Sequence, residues 1–224
     1  MPNAESKKIQ RVVISEQIKE QLIEDIFHHR YKSGDKLVES ALAKDLGVSQ
    51  TSVREALRSL IAMGFLESEP FKGITVRSLT PQDLWEVYTV RAALESLAAG
   101  LAAERITGAE IDSLRSICKK MVRAGEQGDI PQRARRNIEF HQTIIRASGN
   151  KLILRLFENL QFGSYSLMTG SLSTMDQVEM ASRHEKLIEA LESGDPVKAG
   201  DAMREHIESS GKPIVHLLEL ETEK

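Results

Sequence analysis

Several features that mark particular classes of protein are scarce in this sequence. It contains a single cysteine, Cys118, so no intrachain disulfide can form and nothing indicates an oxidising compartment. No run approaches the roughly 20 apolar residues that a membrane-spanning helix needs. The first ten residues also lack the apolar stretch of a signal peptide. We therefore expect the protein to be cytoplasmic.

Aromatic residues and excess charge are scarce as well. Phe, Trp and Tyr make up 4% of the chain, whereas leucine, alanine, glutamate and arginine are plentiful. This balance favours helices over sheets, because straight-chain residues lose little rotamer freedom in a helix. The net charge of -3 does not point to nucleic acid, and residues 1–78 carry only one more basic than acidic residue. Any contact with DNA must therefore come from a few well-placed side chains.

The first part of the chain shows the pattern of a helix-turn-helix. Residues 1–11 are polar and are predicted to form a mobile arm before a helix that begins near Ser15, a good N-cap. A short helix is predicted over residues 39–46. Gly47 can take the left-handed conformation that ends a helix, and Ser49 then caps a third helix. Two short helices around a tight glycine turn are typical of that motif.

A β-hairpin is predicted directly after the third helix. Residues 65–67 and 74–76 are bulky or β-branched, and they flank a Pro-Phe-Lys-Gly turn at residues 70–73. A helix-turn-helix followed by such a hairpin makes a winged helix-turn-helix domain, which we place at residues 10–78.

The rest of the chain is predicted to be helical nearly to its end. Thr80 is a good N-cap and Pro81 suits the first helical position. Glycines and prolines divide the following sequence into six helices, at about residues 81–105, 108–126, 131–147, 150–169, 175–193 and 196–219. The expected fold is mainly α. It combines an N-terminal winged helix-turn-helix of three helices and a hairpin with a C-terminal antiparallel bundle of about six helices at residues 80–219.

The third helix divides into an apolar face and a polar face. Val53, Leu57 and Leu60 recur at helical spacing and are predicted to face the core. The side chains on the other face or at the exposed start of the helix are Gln50, Thr51, Ser52, Arg54 and Arg58. Arginine can grip guanine bidentately and glutamine can pair with adenine, while serine and threonine at a helix start commonly hold phosphate. An ordinary solvated helix also shows such a face, so amphipathicity alone leaves DNA binding open.

Residues 34–67, GDKLVESALAKDLGVSQTSVREALRSLIAMGFLE, resemble the DNA-binding domain of the GntR family of bacterial regulators. The matching positions are Gly34, Leu37, Glu39, Leu42, Ala43, Leu46–Ser49, Val53–Leu57, Leu60 and Gly64. That family reads DNA with the start of the third helix and places the wing tip in the minor groove. The resemblance therefore implies DNA contacts from Ser40, Gln50, Thr51, Arg54, Lys72 and Gly73.

Two residues of this region depart from the family pattern. Gln50 stands where the family usually has arginine, and Ser52 stands where it often has proline. A neutral glutamine removes a charge-assisted contact. We therefore expect an operator preference that differs from that of typical members.

Four polar residues of the second domain have a spacing that suits a metal site. Asn137 and His141 are four residues apart and share one helix face, while His184 and His206 lie on the last two predicted helices. A turn before Pro196 brings those two histidines to similar heights in an antiparallel bundle. Neutral imidazoles suit zinc, nickel, iron or copper ions. Histidines scattered through a helical domain are more often surface or hydrogen-bonded residues, so spacing alone leaves both interpretations open.

Residues 81–216 resemble the helical effector domain of the FadR subfamily, known as the FCD domain. The matching segments are LWEVYTVRAALESLAAGLAAER, FHQTIIRASGN and RHEKLIEALESGDPVKAGDAMREHI. Metal-binding members use an aspartate and a histidine four residues apart and two further histidines. The resemblance implies zinc or nickel on Asn137, His141, His184 and His206. Asn137 replaces the aspartate and brings no negative charge, so weaker metal binding is expected.

An organic acid effector can complete the metal's shell in such domains. Arg91 is the candidate partner for an effector carboxylate. The alternative for this arginine is an ordinary ion pair with Glu95, four residues later on the same helix.

The combined interpretation is a dimeric transcription regulator, most simply a repressor, that binds a palindromic operator and responds to a small carboxylate. Surplus apolar residues on the first helix of the second domain predict the homodimer: Leu94, Leu97, Ala98 and Leu101. One alternative is a metal-responsive regulator in which the ion is the signal. Another is a metal-dependent enzyme. The enzyme is disfavoured because Glu185 follows His184 directly, and adjacent residues do not share a helix face.

Overall fold

The computed structural model describes residues 4–159, 165, 168, 169 and 176–222. The chain divides into two compact units, Met1–Leu79 and Thr80–Lys224. The first is a winged helix-turn-helix with a small sheet and the second is a helical bundle. This architecture confirms the predicted mainly α fold. No helix in the described ranges combines the length and the apolar character needed to cross a bilayer.

The elements of the first unit follow the predicted order, with one addition. They are α1 (Ala4–Phe27), β1 (Lys36–Leu37), α2 (Glu39–Asp45), α3 (Gln50–Ala62), β2 (Leu66–Glu69) and β3 (Gly73–Val76). Gly47, between α2 and α3, has a φ of +65°, the left-handed conformation that its position predicts. The hydroxyl of Ser49 accepts a hydrogen bond of 3.1 Å from the Ser52 N–H and caps α3. Local signals thus place the turn and the start of α3.

The first helix begins earlier than the sequence predicts. It starts at Ala4 rather than near Ser15, so residues 4–11 belong to the helix and the predicted arm over residues 1–11 is wrong for them. The segment from Ala4 contains no glycine or proline and is rich in glutamate, lysine and glutamine. These residue types have favourable helix propensities, so nothing in the sequence stops the helix there.

The core of the first unit lies between α1, α3 and the sheet. Its fully buried side chains include Leu22, Val53, Leu57, Leu60 and Phe65. The apolar face predicted for α3 is therefore its inner face. The opposite side of the helix remains at the surface of the unit.

The sheet contains a strand that the sequence did not reveal. Its strand order is β1-β3-β2, and both pairs are antiparallel, with Leu37 opposite Ile74 and Leu66 opposite Val76. Strand β1 is only two residues long, which is too short to show an alternating pattern. It positions Lys36 opposite Thr75, beside the hairpin that forms the wing.

The second unit is built from seven helices within the described ranges. They are α4 (Pro81–Ala103), α5 (Gly108–Glu126), α6 (Ile130–Ala147), α7 (Lys151–Asn159), α8 (Gln177–Ser182), α9 (Glu185–Glu192) and α10 (Pro196–Thr222). Capping boxes of Thr80 with Asp83 and of Thr107 with Glu110 begin α4 and α5.

Two predicted helices of this unit differ from the observed ones. The predicted helix over residues 175–193 is broken at Arg183 and His184 into α8 and α9. Neither residue is a glycine or a proline, so the sequence carries no local sign of the break. The helix predicted over residues 150–169 is observed as α7 up to Asn159. Most of its remainder lies outside the described residues.

The core of the second unit lies among α4, α5, α6, α9 and α10. Its fully buried side chains include Leu114, Met121, Phe140, Ile144 and Ile188. Helices α4 and α10 approach closely: a Cβ at Gly100 would lie 2.9 Å from the carbonyl oxygen of Pro196. The bundle therefore brings α6, α10 and the turn before α9 around one buried point.

Candidate effector and metal site

Three buried histidines meet inside the second unit. His141 lies on α6, His184 lies in the turn before α9, and His206 lies on α10. Their exposed fractions are 1%, 2% and 9%. One ring nitrogen from each lies within 4.8 Å of those of the other two. The residues predicted to be metal ligands are thus neighbours in space, although they come from three separate elements.

The three imidazole rings have apolar surroundings on one side. The ring of Phe140 packs edge-on against His184, with 4.8 Å between the ring centroids. Burial, followed by the effect of the neighbouring His141 ring, lowers the pKa of His184 to about 3. Burial and the His184 ring hold the pKa of His206 well below its ordinary value. Both rings are therefore neutral at pH 7, the form that binds a metal ion.

Hydrogen bonding fixes which nitrogen of His184 is available. Its Nδ1 lies 3.0 Å from the carbonyl oxygen of Ala181, which can only accept a hydrogen bond, so Nδ1 carries the proton. Its Nε2 therefore has a lone pair, and it faces the Asn137 Oδ1 at 2.9 Å. Both the imidazole nitrogen and the amide oxygen can donate an electron pair to one cation.

The third histidine is oriented by a buried carboxylate. Oε2 of Glu95 lies 2.5 Å from Nδ1 of His141. The other ring nitrogen, Nε2, has no hydrogen-bond partner in the described ranges. A carboxylate behind a histidine is the usual arrangement around a bound metal, because it orients the ring.

The structure is compatible with both functions considered for Arg91, an ion pair with Glu95 and a contact with an effector. Its Nε donates a hydrogen bond of 2.8 Å to Oε1 of Glu95, and both side chains are buried. Burial raises the pKa of Glu95, but Arg91 and His141 outweigh this effect and lower that pKa to about 2. The ion pair considered as an alternative is therefore present. Arg91 also lines the cavity next to the histidines, so both interpretations stay open.

A cavity adjoins the three histidines, and its charged lining is entirely basic. It encloses about 40 Å³, and the space between atoms grows to about 500 Å³ when its solvent-open mouth is included. The cationic side chains around it are Arg91, Arg133 and Arg183. Among the residues that the structure describes, no aspartate or glutamate lines it. Because a concentration of positive charge in a partly enclosed space favours anions, the cavity suits a negatively charged ligand.

Arg133 is the residue of this cavity that the sequence analysis missed. It is 3% exposed, its Nε has no hydrogen-bond partner in the part of the chain that the structure describes, and burial lowers its pKa. It lies four residues before Asn137 and eight before His141, so the three side chains share one face of α6. That spacing was the sequence signal that could have placed Arg133 beside the predicted ligands. The burial of Arg133, however, could be known only from the fold.

Tyr88 forms a wall of the cavity and also faces outward. It lines the histidine cavity and a second groove on the surface between α4 and α10. Its hydroxyl lies 3.3 Å from that of Thr169, and the Arg91 guanidinium lies 5.4 Å from its ring centroid. A Cβ at Gly211 would lie 2.4 Å from the ring. The tyrosine therefore packs directly on the backbone of α10.

Most residues predicted to contact DNA lie at the surface of the first unit. Those that are exposed are Ser40, Gln50, Thr51, Arg54, Arg58 and Lys72, while Gly73 is partly buried. Arg54 is held by Glu39, whose Oε2 lies 2.9 Å from Nε and 2.8 Å from Nη2. Glu39 therefore orients this guanidinium at the surface of the helix-turn-helix.

Ser52 does not fit the predicted polar face. It is 4% exposed, and its hydroxyl lies 2.9 Å from that of Ser49. The side chain therefore belongs to the network that begins α3, because the third residue after a cap turns back toward it. The prediction that this side chain contacts DNA is therefore wrong.

Two family models match the chain, one in each unit. The model of the bacterial regulatory proteins of the gntR family matches residues 14–76, and that of the FCD domain matches residues 86–209. The chain is 33% identical over 205 residues to a protein of Paenarthrobacter nicotinovorans named as a probable D-xylose utilization operon transcriptional repressor. That match covers 92% of this chain and 90% of the relative.

Solved structures of regulators share the fold. Escherichia coli McbR superposes with a TM-score of 0.69 at 23% identity, covering 93% of this chain and 98% of that one. A GntR-type regulator from Rhodococcus gives a TM-score of 0.72 at 20% identity, covering 90% and 97%. The resemblance noted in the sequence is confirmed, and the alternative of a metal-dependent enzyme is wrong. The chain belongs to the GntR family of bacterial regulatory proteins, and it is a DNA-binding transcriptional regulator with an FCD domain.

Proposed function

We propose that the protein is a repressor that releases its operator when a small carboxylate binds in the histidine cavity. The observation that carries this proposal is Arg133, a buried guanidinium with no acidic partner in the described ranges, in a cavity without carboxylates. A buried charge without a partner is costly, so a bound anion would stabilise this arrangement. The name of the Paenarthrobacter relative supports repression rather than activation.

We further propose that one divalent ion, zinc or nickel, is held by His141, His184, His206 and Asn137. The free Nε2 of His141 and the 2.9 Å approach of the Asn137 Oδ1 to the Nε2 of His184 support this ligand set. When bound, such an ion supplies a positive charge that can accept an electron pair from a carboxylate oxygen. The chain's own contribution is to hold the ligand atoms together and to place Arg133 on the same helix face as two of them.

The experiment begins by identifying the ligand and the metal in one sample. Mass spectrometry of small molecules released from the purified protein gives the ligand, and elemental analysis gives the ion. A panel of sugar acids and dicarboxylates is screened by thermal shift in parallel. Operator affinity is then measured on a DNA duplex that the wild-type protein has selected from a random-sequence pool, with and without the best ligand.

Arg133→Met should weaken the response to that ligand. Losing a charge-assisted hydrogen bond costs about 10- to 150-fold in affinity. The ligand concentration that releases the operator should therefore rise by that factor, while binding of the ligand-free protein to DNA stays unchanged. Arg136→Met is the matched control, because Arg136 is on the same helix but pairs with Glu139. An unaltered response in Arg133→Met would contradict the proposed role.

The same measurement separates the metal-responsive alternative. Three buried histidines that converge at one point support this second candidate. If zinc or nickel alone releases the operator, and no carboxylate changes that response, the ion is the signal. If release needs the carboxylate, the ion serves only to hold it.

The DNA surface of the proposed repressor consists of the start of α3 and the wing. The contacts we propose are Ser40, Gln50, Thr51, Arg54, Arg58, Lys72 and Gly73, all at least partly exposed. The helix would read base edges in the major groove, and the wing would lie in the adjacent minor groove. One such unit grips only half of a palindromic operator, so the proposal includes a dimer.

We propose that a stripe along α4 forms the homodimer. Val90, Leu94, Leu97 and Leu101 recur at spacings of four, three and four residues, the pattern of a helix seam. Val90 is 42% exposed and Leu97 is 54% exposed, whereas Ala98 is fully buried within the unit and cannot contribute. A continuous apolar stripe at a surface indicates an interface.

Leu97→Glu should convert the dimer into a monomer. Sedimentation velocity at micromolar concentration measures this, because a charge in the seam would have to be buried without a partner. Val197→Glu is the matched control, since Val197 is 71% exposed on a different helix. A wild-type protein that sediments as a monomer would exclude the interface.

A further inference from the structure

The tip of the wing carries an aromatic ring that packs against nothing in the first unit. Phe71 is 107% exposed, the highest value of any large apolar side chain in the described part of the chain. By comparison, Val197 is 71% exposed and Trp85 is 56% exposed. Burying a phenylalanine ring away from water lowers the free energy. A fully exposed ring at a loop tip therefore indicates a binding partner outside the unit.

The backbone at this exposed ring is strained. The Lys72 N–H donates to the carbonyl oxygen of Glu69 at 3.2 Å and closes a four-residue turn around Pro70 and Phe71. Phe71 has a φ of +66°. A turn with proline second and positive φ third is of type II, whose third position normally holds glycine or asparagine. A bulky side chain there is a genuine outlier, and strain of this kind clusters at functional positions.

Two lysines lie at the tip of the wing, close to the residue that carries the ring. Lys72 follows it directly and forms an ion pair with Glu69 at 2.6 Å. The amino group of Lys36, on β1, lies 3.5 Å from the place where a Cβ of Gly73 would stand. The tip therefore combines one apolar ring with two flexible cations, and it belongs to the unit that matches the DNA-binding family. An apolar ring flanked by cations suits a polyanion with stacked bases.

We propose that Phe71 enters the minor groove of the operator as an apolar wedge between two base pairs. The ring separates the two pairs and kinks the duplex, while Lys36 and Lys72 contact phosphates on either side. The wing then selects DNA by how easily it deforms rather than by base edges. Because pyrimidine–purine steps unstack most readily, operators should favour TA or CA steps where the wing lies. This inference rests on the proposed placement of the wing in the minor groove.

The decisive variant is Phe71→Gly, because its effects on stability and on DNA have opposite signs. Glycine relieves the positive φ and removes the exposed ring, so the melting temperature of the full chain should not fall and is expected to rise. The same change should weaken operator binding by about 10-fold or more and reduce the bend by at least about 20°. Phe71→Leu should keep most of the bend, since leucine also acts as a wedge.

The probe is the duplex that the wild-type protein selects from a random-sequence pool. Energy transfer between dyes at its two ends measures the bend. 2-Aminopurine placed at the step next to the wing measures unstacking, and its fluorescence should rise with wild type and not with Phe71→Gly. Val197→Ala, on the other unit, should match wild type in every readout.

Three outcomes would overturn the inference. They are a Phe71→Gly variant that binds and bends the duplex as wild type does, a 2-aminopurine signal that stays flat with wild type, and a Phe71→Gly variant whose self-association in sedimentation has changed. The last result would assign the ring to a protein contact. If wild type selects no duplex at all, the DNA-binding function itself fails. That result differs from a wild type that binds without bending, which removes the wedge alone.

Discussion

His184→Ala should leave the purified protein without bound metal after dialysis against zinc or nickel, where wild type retains about one ion per chain. The variant loses one imidazole of three and also the lone pair that faces Asn137. Asn137→Asp should tighten binding, because a carboxylate adds a negative charge where the amide has none. Atomic emission on wild type and both variants measures the ion content, and titration against a competing chelator ranks the affinities.

The control for this experiment is a histidine on the same helix as one of the ligands. His216 lies on α10 with a 70% exposed side chain, so His216→Ala should retain metal as wild type does. Circular dichroism checks that each variant is folded. If wild type holds no ion at saturation, or if His184→Ala holds as much as wild type, the histidine cluster is structural. Polar contacts alone would then hold the effector.

Arg54→Ala should weaken operator binding by about 10- to 150-fold if the guanidinium grips a base bidentately. Glu39 already holds this guanidinium through Nε and Nη2, so the arginine approaches DNA in a defined orientation. Fluorescence anisotropy on the selected duplex measures the affinity over a range of salt concentrations. A phosphate contact would lower the salt slope by about one, whereas a base contact would relax the preference at one position.

Arg30→Ala provides the comparison. Arg30 is also an exposed arginine of the first unit and pairs with Asp25, but it lies outside the helix-turn-helix. Its removal should leave operator affinity unchanged. Should Arg54→Ala bind the duplex as tightly as wild type while folded, α3 is not the reading helix.

The fold was predictable from sequence to the extent that its signals are local. The left-handed glycine at position 47, the cap at Ser49 and the Thr80-Pro81 start act within one turn of chain, and all three appear as predicted. Strand β1 was not predictable, because two residues carry no period and pair with a strand far along the chain. The break at His184 was missed because no residue type marks it.

The candidate site, like the fold, could be predicted from the sequence only in part. The spacing of Asn137 and His141 predicts a shared face, but only the family resemblance joined them to His184 and His206. Arg133 was missed because the feature that marks it is burial of its Nε without a hydrogen-bond partner in the described residues. That feature depends on how the bundle packs and not on the neighbouring residues in the sequence. Ser52 was placed wrongly for the opposite reason. Its residue type suggests solvent, yet the start of α3 turns it inward.

The contact between Tyr88 and Gly211 has a consequence for how this sequence can evolve. A Cβ at position 211 would lie 2.4 Å from the tyrosine ring, so even alanine there would displace the ring. The displaced ring would change the wall of the histidine cavity, because Tyr88 lines it. A residue larger than glycine at position 211 therefore requires a smaller one at position 88. Among related chains a larger residue at 211 should occur with a smaller one at 88, and such paired lineages would differ in the size of effector that they accept.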